Sequence, residues 1–158
     1  MSPKEHGSTR VGALACLALL AAAVFPVQPA QAITVNSLAI IGKNDDSGID
    51  ARIPRSVRRA LTRTFRFKSY TLHSTARATV ALREQVRLSL PGRYALLVQP
   101  LRIRGRGNMR RILLQVEIVK GDQRIAGAAV WLRPGRYWLL GGPAVDGGAL
   151  IVALAVAE

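Results

Sequence analysis

The chain has 158 residues and a formal charge of +14, from 23 basic residues against 9 acidic ones. Its single cysteine, Cys16, and two histidines exclude a disulfide framework and leave little from which to build a soft-ligand metal site. Outside the cytoplasm, a surface this rich in arginine has anionic headgroups, acidic polysaccharides and acidic protein faces as its natural partners, and nucleic acid is not the default one.

The first 32 residues read as an address. A short polar start containing Lys4 and Arg10 leads into the apolar run Val11–Phe25, which Pro26 breaks, and Ala30-Gln31-Ala32 supplies a small-x-small cleavage site. The run is shorter than the roughly 20 residues a helix needs to cross a bilayer. Cys16 sits inside the apolar core with Ala13 three places before it, unlike a lipoprotein signal, and it leaves with the leader. The expected organisation is a signal peptide over 1–32, cleavage after Ala32, and one β-rich domain over 33–158 working in the bacterial periplasm or secreted. Lys4, Arg10 and Glu5 fall in the leader, so that domain carries 21 basic and 8 acidic residues, a formal +13. Its 126 residues suit a single core, and no further apolar stretch is long enough to span a membrane.

Thr34–Ile41 predicts an opening strand, followed by the polar loop Lys43–Gly48. Asp50 is placed to cap a helix, with Pro54 in the first turn. From Ile53 to Phe65 the periodicity is helical: Ile53, Val57, Ala60, Leu61, Thr64 and Phe65 share one face, while Arg52, Arg55, Arg59, Arg63 and Arg66 cover the other, with Arg58 near its edge. The period then changes to two. Tyr70 and Leu72, then Val80, Leu82, Val86, Leu88 and Leu90, alternate with polar residues up to the Pro91-Gly92 turn. In the next strand the apolar phase slips at Gln99-Pro100, which implies a bulge or an edge. Ile112–Ile118 and Arg124–Leu132 form a hairpin across Lys120-Gly121-Asp122. A short aromatic segment, Arg136–Leu140, is followed by a loop between Gly141-Gly142-Pro143 and Asp146-Gly147-Gly148, and Leu150–Val156 closes the chain as a strand. Seven or eight short strands at this spacing predict a mainly antiparallel sandwich or barrel, with one amphipathic helix across an open face or end.

Few chemistries fit these residues. Asn44, Asp45, Asp46 and Asp50 cluster as a calcium loop does, but counting from Asn44 the sixth and twelfth places hold Ile49 and Arg55 instead of the required glycine and glutamate. His73 is the only histidine after the leader and lies on the polar phase of its strand, so no metal or cofactor is expected. No serine stands in a nucleophile-elbow setting. Glu84 falls on the apolar phase between Leu82 and Val86, where a carboxylate needs a partner, a shifted pKa or a break between two strands. The Gly141-Gly142-Pro143 segment lacks a P-loop lysine and a following helix. Arginine clusters are the remaining functional signal. Arg55, Arg59 and Arg63 lie on the helix, and Arg102, Arg104, Arg106, Arg110 and Arg111 surround the Gly107-Asn108 turn, as candidates for anion binding.

The domain also resembles a loose group of short, secreted, uncharacterised bacterial proteins. The resemblance rests on Ile49-Asp50, Phe67-Lys68-Ser69-Tyr70-Thr71-Leu72, Leu90-Pro91-Gly92, and a closing Gly141-Gly142-Pro143 with Gly147-Gly148-Ala149-Leu150-Ile151. These are turn and core positions, so the resemblance implies a common fold and no activity. The expected function is a non-enzymatic exported or periplasmic β-domain that binds an anionic envelope surface or a partner protein. The alternative is a small hydrolase of envelope polymers, with Glu84 as its acid.

Overall fold

The computed structural model describes residues 31–157; the leader expectations for residues 1–30 lie outside the described residues. Eight strands and one α-helix follow in chain order. They are β1 (Ala32–Lys43), α1 (Arg55–Thr64), β2 (Ser69–Ala81), β3 (Val86–Ser89), β4 (Tyr94–Arg104), β5 (Arg111–Lys120), β6 (Gln123–Leu132), β7 (Tyr137–Val145) and β8 (Gly148–Val156). The strands form two four-stranded antiparallel sheets, ordered β2-β1-β8-β7 and β3-β4-β5-β6. The architecture is a sandwich, mainly β, with the helix on the outer face of the first sheet. Among the described residues no helix is long and apolar enough to cross a membrane.

The period-two pattern sets which face each strand buries. Ile112, Leu114, Val116 and Ile118 of β5 meet Val35, Ile41, Leu150, Val152 and Leu154 of the first sheet in the main core. The first sheet is covered on both sides. Ile40, Ile151 and Ala153, one residue out of phase with that core, pack instead against Ile53, Val57 and Leu61 beneath the helix. This explains the uninterrupted apolar run near the C-terminus: β8 lies between β1 and β7 and is buried on both faces.

A ten-residue helix is marginal by itself, and α1 persists because its apolar stripe is buried, with Val57 and Leu61 fully inaccessible. Tyr70 on β2 closes its C-terminal end. The buried hydroxyl donates to the Phe65 carbonyl at 3.0 Å or to the Leu61 carbonyl at 3.3 Å, which also accepts from the Phe65 N–H at 2.9 Å.

Several local expectations need correction. The residue before α1 is Pro54, with no side-chain cap, so Asp50 does not cap the helix and Pro54 precedes the first turn. Asp50 accepts hydrogen bonds instead from the backbone N–H groups of Arg52 (2.9 Å) and Leu72 (3.2 Å), pinning the helix approach to β2. Gly141-Gly142-Pro143 does not open a loop: β7 runs through it with a register shift between Gly141 and Ala144. Nor does a positive φ account for Gly141 and Gly142, since neither has one. A Cβ on Gly141 would stand 3.2 Å from the Phe65 ring, and one on Gly142 would stand 3.0 Å from Ile118 Cδ1. Close approach of neighbouring layers is the requirement there. Positive φ belongs to Asp146 and Gly147, the two residues that join β7 to β8 in a tight hairpin. The slip at Pro100 is a bulge, with the register shift between Pro100 and Arg102, and the Arg83 N–H donates to the Pro100 carbonyl beside it at 2.6 Å.

Candidate functional site: an arginine belt

The eight arginines singled out from sequence fall into separate places. Ile103 faces the core and pairs with Ile112, so Arg102 and Arg104 point outward from the second sheet. Arg104 lies opposite Arg111 across the β4–β5 ladder, a like-charge pairing that costs energy in a sheet. The guanidinium of Arg104 finds compensation over the Trp131 ring, 5.2 Å from its centroid. Arg106 is exposed where the chain leaves β4 for the short 3-10 turn Gly107–Met109. Arg110 turns elsewhere. It shares a cleft of about 320 Å³ with Arg133 and Arg136, floored by Gly107, Asn108 and Pro134.

Arg136 links that cleft to the helix. It also lines a second hollow, of about 270 Å³, with Arg59 and Arg63. Arg59 continues into a third, of about 540 Å³, where Arg55 and Arg58 join it beside Ile49 and Thr62. Three clefts therefore run in series, joined at Arg136 and Arg59, and seven arginines line them. No carboxylate appears in any of the three linings. The ion pairs among the described residues are Arg52–Asp50, Lys68–Asp46 and Arg124–Glu117, and none draws on the belt. Arg58 adds a further polar group without a protein partner: its Nε is buried and has no hydrogen-bond acceptor. A buried donor in that condition costs more than an exposed one.

Arg133 and Arg136 escaped the sequence reading. They flank Pro134-Gly135, so their exposure at a turn was legible, but the place of Arg133 beside Arg110 and of Arg136 beside the helix was not. That juxtaposition arises because the chain crosses between sheets there, from β6 into β7, and the turn is held by the Gly135 N–H donating to the Val156 carbonyl at 2.9 Å.

The acidic loop has local work. Asp45 accepts from the Ser69 hydroxyl at 2.6 Å and from the Ser47 backbone at 3.1 Å, and its carboxyl is also held by the Ser47 hydroxyl. These bonds, with the Ser47 hydroxyl foremost, lower its pKa to about 2. Asp50 is held lower still by the Arg52 guanidinium, which donates to it at 2.7 Å, and by the backbone N–H groups it accepts from. Among the described residues no three metal-ligating side chains gather. Glu84 lies exposed in the break between β2 and β3, where its N–H donates to the Ala81 carbonyl at 3.1 Å, so it is not carried into the core. His73 is exposed on β2, at the mouth of a cleft it shares with Arg87.

Comparison with known protein families, with curated proteins and with solved structures finds no match.

Proposed function

We propose that this chain is a non-enzymatic, exported or periplasmic β-sandwich module that binds a phosphate-bearing anionic component of the cell envelope along the arginine belt. The observation that carries this reading is the sharing of Arg59 and Arg136 between successive clefts, with no acidic lining residue in the series. An extended cationic track suits an anion with repeated charges, or a charged surface, better than one small molecule. Arginine adds bidentate hydrogen bonds to phosphate, so part of the affinity should outlast moderate salt even as the long-range attraction is screened.

Vesicles containing phosphatidylglycerol, compared with neutral phosphatidylcholine vesicles, test it. Arg110, Arg133 and Arg136 replaced together by Gln should weaken binding about a hundredfold, since each arginine near an anionic surface contributes about 1 kcal/mol. Arg102, Arg104 and Arg106 replaced by Gln remove the same charge from outside the clefts and should weaken it much less. Equal losses in the two triple variants would mean that net charge alone attracts the vesicles and that the belt is not a site. Retention at low salt on neutral vesicles as strong as on anionic ones would reject the reading altogether.

A further inference from the structure

We propose that the end of the sandwich carrying the β4–β5 turn is a bilayer-docking tip, with Met109 seated among the headgroups of an anionic lipid leaflet. This docking rests on the anion-binding reading and names a bilayer as the source of the phosphates. Met109 is 67% exposed, whereas Ile49, Ile125 and Trp131, the other large apolar side chains open to solvent among the described residues, reach 38% at most. A lone exposed methionine means little by itself. Its setting gives it meaning. The turn is built to hold it out: Gly105 and Gly107 take positive φ, the Met109 N–H donates to the Arg106 carbonyl at 3.1 Å, and the Arg110 N–H donates to the Gly107 carbonyl at 2.9 Å. A Cβ on Gly105 would run into the Met109 carbonyl, so that position is reserved for glycine. The same turn is part of the belt. Gly107, Asn108 and Arg110 line a cleft together with Arg133, Pro134 and Arg136, which places Met109 beside three guanidinium groups.

Charge is also sorted along the strands. β5 runs from Arg111 at the tip to Lys120, and Asp122 lies in the turn beyond it. β7 runs from Tyr137, next to Arg136, to Val145, and Asp146 lies in the turn beyond that. These far ends coincide, since a Cβ on Gly92, just before β4, would stand 3.2 Å from the Val145 side chain. Asp45 and Asp46 follow β1 at the same end, because Gly42 pairs with Ala149 beside the Asp146 turn. Glu84 departs from this order, but it lies on the β3 side of its sheet, next to the Pro100 bulge. Most of the described acids therefore stand away from the end that carries the apolar prong and the arginine cleft. A negatively charged leaflet attracts the second end and repels the first, which turns Met109 toward the lipid. Apolar surface entering the leaflet then adds to the electrostatic attraction.

Binding of the protein recovered from the producing cell to phosphatidylglycerol vesicles and to soluble polyphosphate, measured side by side, tests the tip apart from the belt. Met109→Ser should weaken vesicle binding about fivefold or more and leave polyphosphate binding at the wild-type level, because only a bilayer offers an apolar layer to enter. Met109→Leu should preserve both. Ile125→Ser removes an exposed apolar side chain from the opposite end of the second sheet and should also preserve both. Unchanged vesicle binding by Met109→Ser would overturn the tip and leave the anion-binding reading standing, and so would wild-type binding to polyphosphate alone. An equal loss on both ligands would make Met109 a support of the turn and would likewise overturn the tip. A wild type that binds neither ligand would overturn the tip and the anion-binding reading together.

Discussion

Asp45 and Asp50 show how single residues of an acid-poor chain are used. Each carboxylate is surrounded by donors that favour its charged form: Ser47 and Ser69 for Asp45, Arg52 and the Leu72 N–H for Asp50. Both therefore titrate below the ordinary aspartate value of 3.8. A folded pKa below the unfolded one adds stability that is complete above the unfolded value and is lost as pH falls through the folded value. Thermal melts followed by circular dichroism should thus hold steady near pH 5 and lose midpoint temperature from about pH 4 toward pH 2, the interval between the two Asp45 values. Asp45→Asn should lower the midpoint at pH 5 and flatten the slope below pH 4. A slope identical to wild type would show that these hydrogen bonds do not hold the loop to β2. Only the local polarity of this loop was legible in the sequence. The partners Ser69 and Leu72 lie more than twenty positions away, and nothing in the spacing of the acids announces them.

The helix and strands were legible to very different degrees, and the difference has a physical cause. β5 reads directly because Ile112, Leu114, Val116 and Ile118 keep one face apolar without a break, while Arg111, Gln115 and Glu117 mark the other. The α1 stripe reads equally well, and Val57 and Leu61 are buried as its periodicity requires. β7 reads poorly because glycine serves two purposes that look alike in sequence. At Gly147 it supplies a left-handed backbone, while at Gly141 and Gly142 it makes room for Phe65 and Ile118. Only the position of the other layer tells these apart. The same gap hid Arg133 and Arg136, two of the belt's seven arginines, since a turn residue can be recognised locally but not the elements it will face. The helix–sheet contact itself makes a sharp test. Leu61→Ala should cost about 2–5 kcal/mol in denaturant unfolding, because the side chain is fully buried between α1 and the first sheet. Arg59→Ala, on the exposed side of the same helix, should stay within about 0.5 kcal/mol of wild type, so a binding defect there would not reflect unfolding. Comparable losses at both positions would mean that the helix is not held by its apolar stripe.

At the scale of the whole molecule, the three layers leave the charge nowhere to go but outward. The first sheet is enclosed by the helix on one side and the second sheet on the other, and the arginines collect on the helix, on the outer face of the second sheet and along the clefts between. The anionic component proposed as the partner of this surface lies outside the cytoplasm, so the proposal requires residues 1–32 to act as a cleaved export signal. The structure makes one cleavage point physically comfortable. Ala32 is exposed, whereas Ile33 is 2% exposed and belongs to the main core. Cutting between them costs the Ala32↔Ala81 pairing and the bond from the Leu82 N–H to the Gln31 carbonyl, but leaves Ile33–Lys43 in the ladder with every core side chain. Cutting even one residue later would take Ile33 out of the core, at a cost of about 1.5–3 kcal/mol for a side chain of that size. We therefore expect the protein recovered from the producing cell to have the intact mass of a chain beginning at Ile33. A retained Met1 would place it in the cytoplasm, and a lipid on Cys16 would tether it to the membrane. Either mass would overturn the assignment of residues 1–32 as a cleaved leader, and with it the compartment in which the arginine belt is proposed to act.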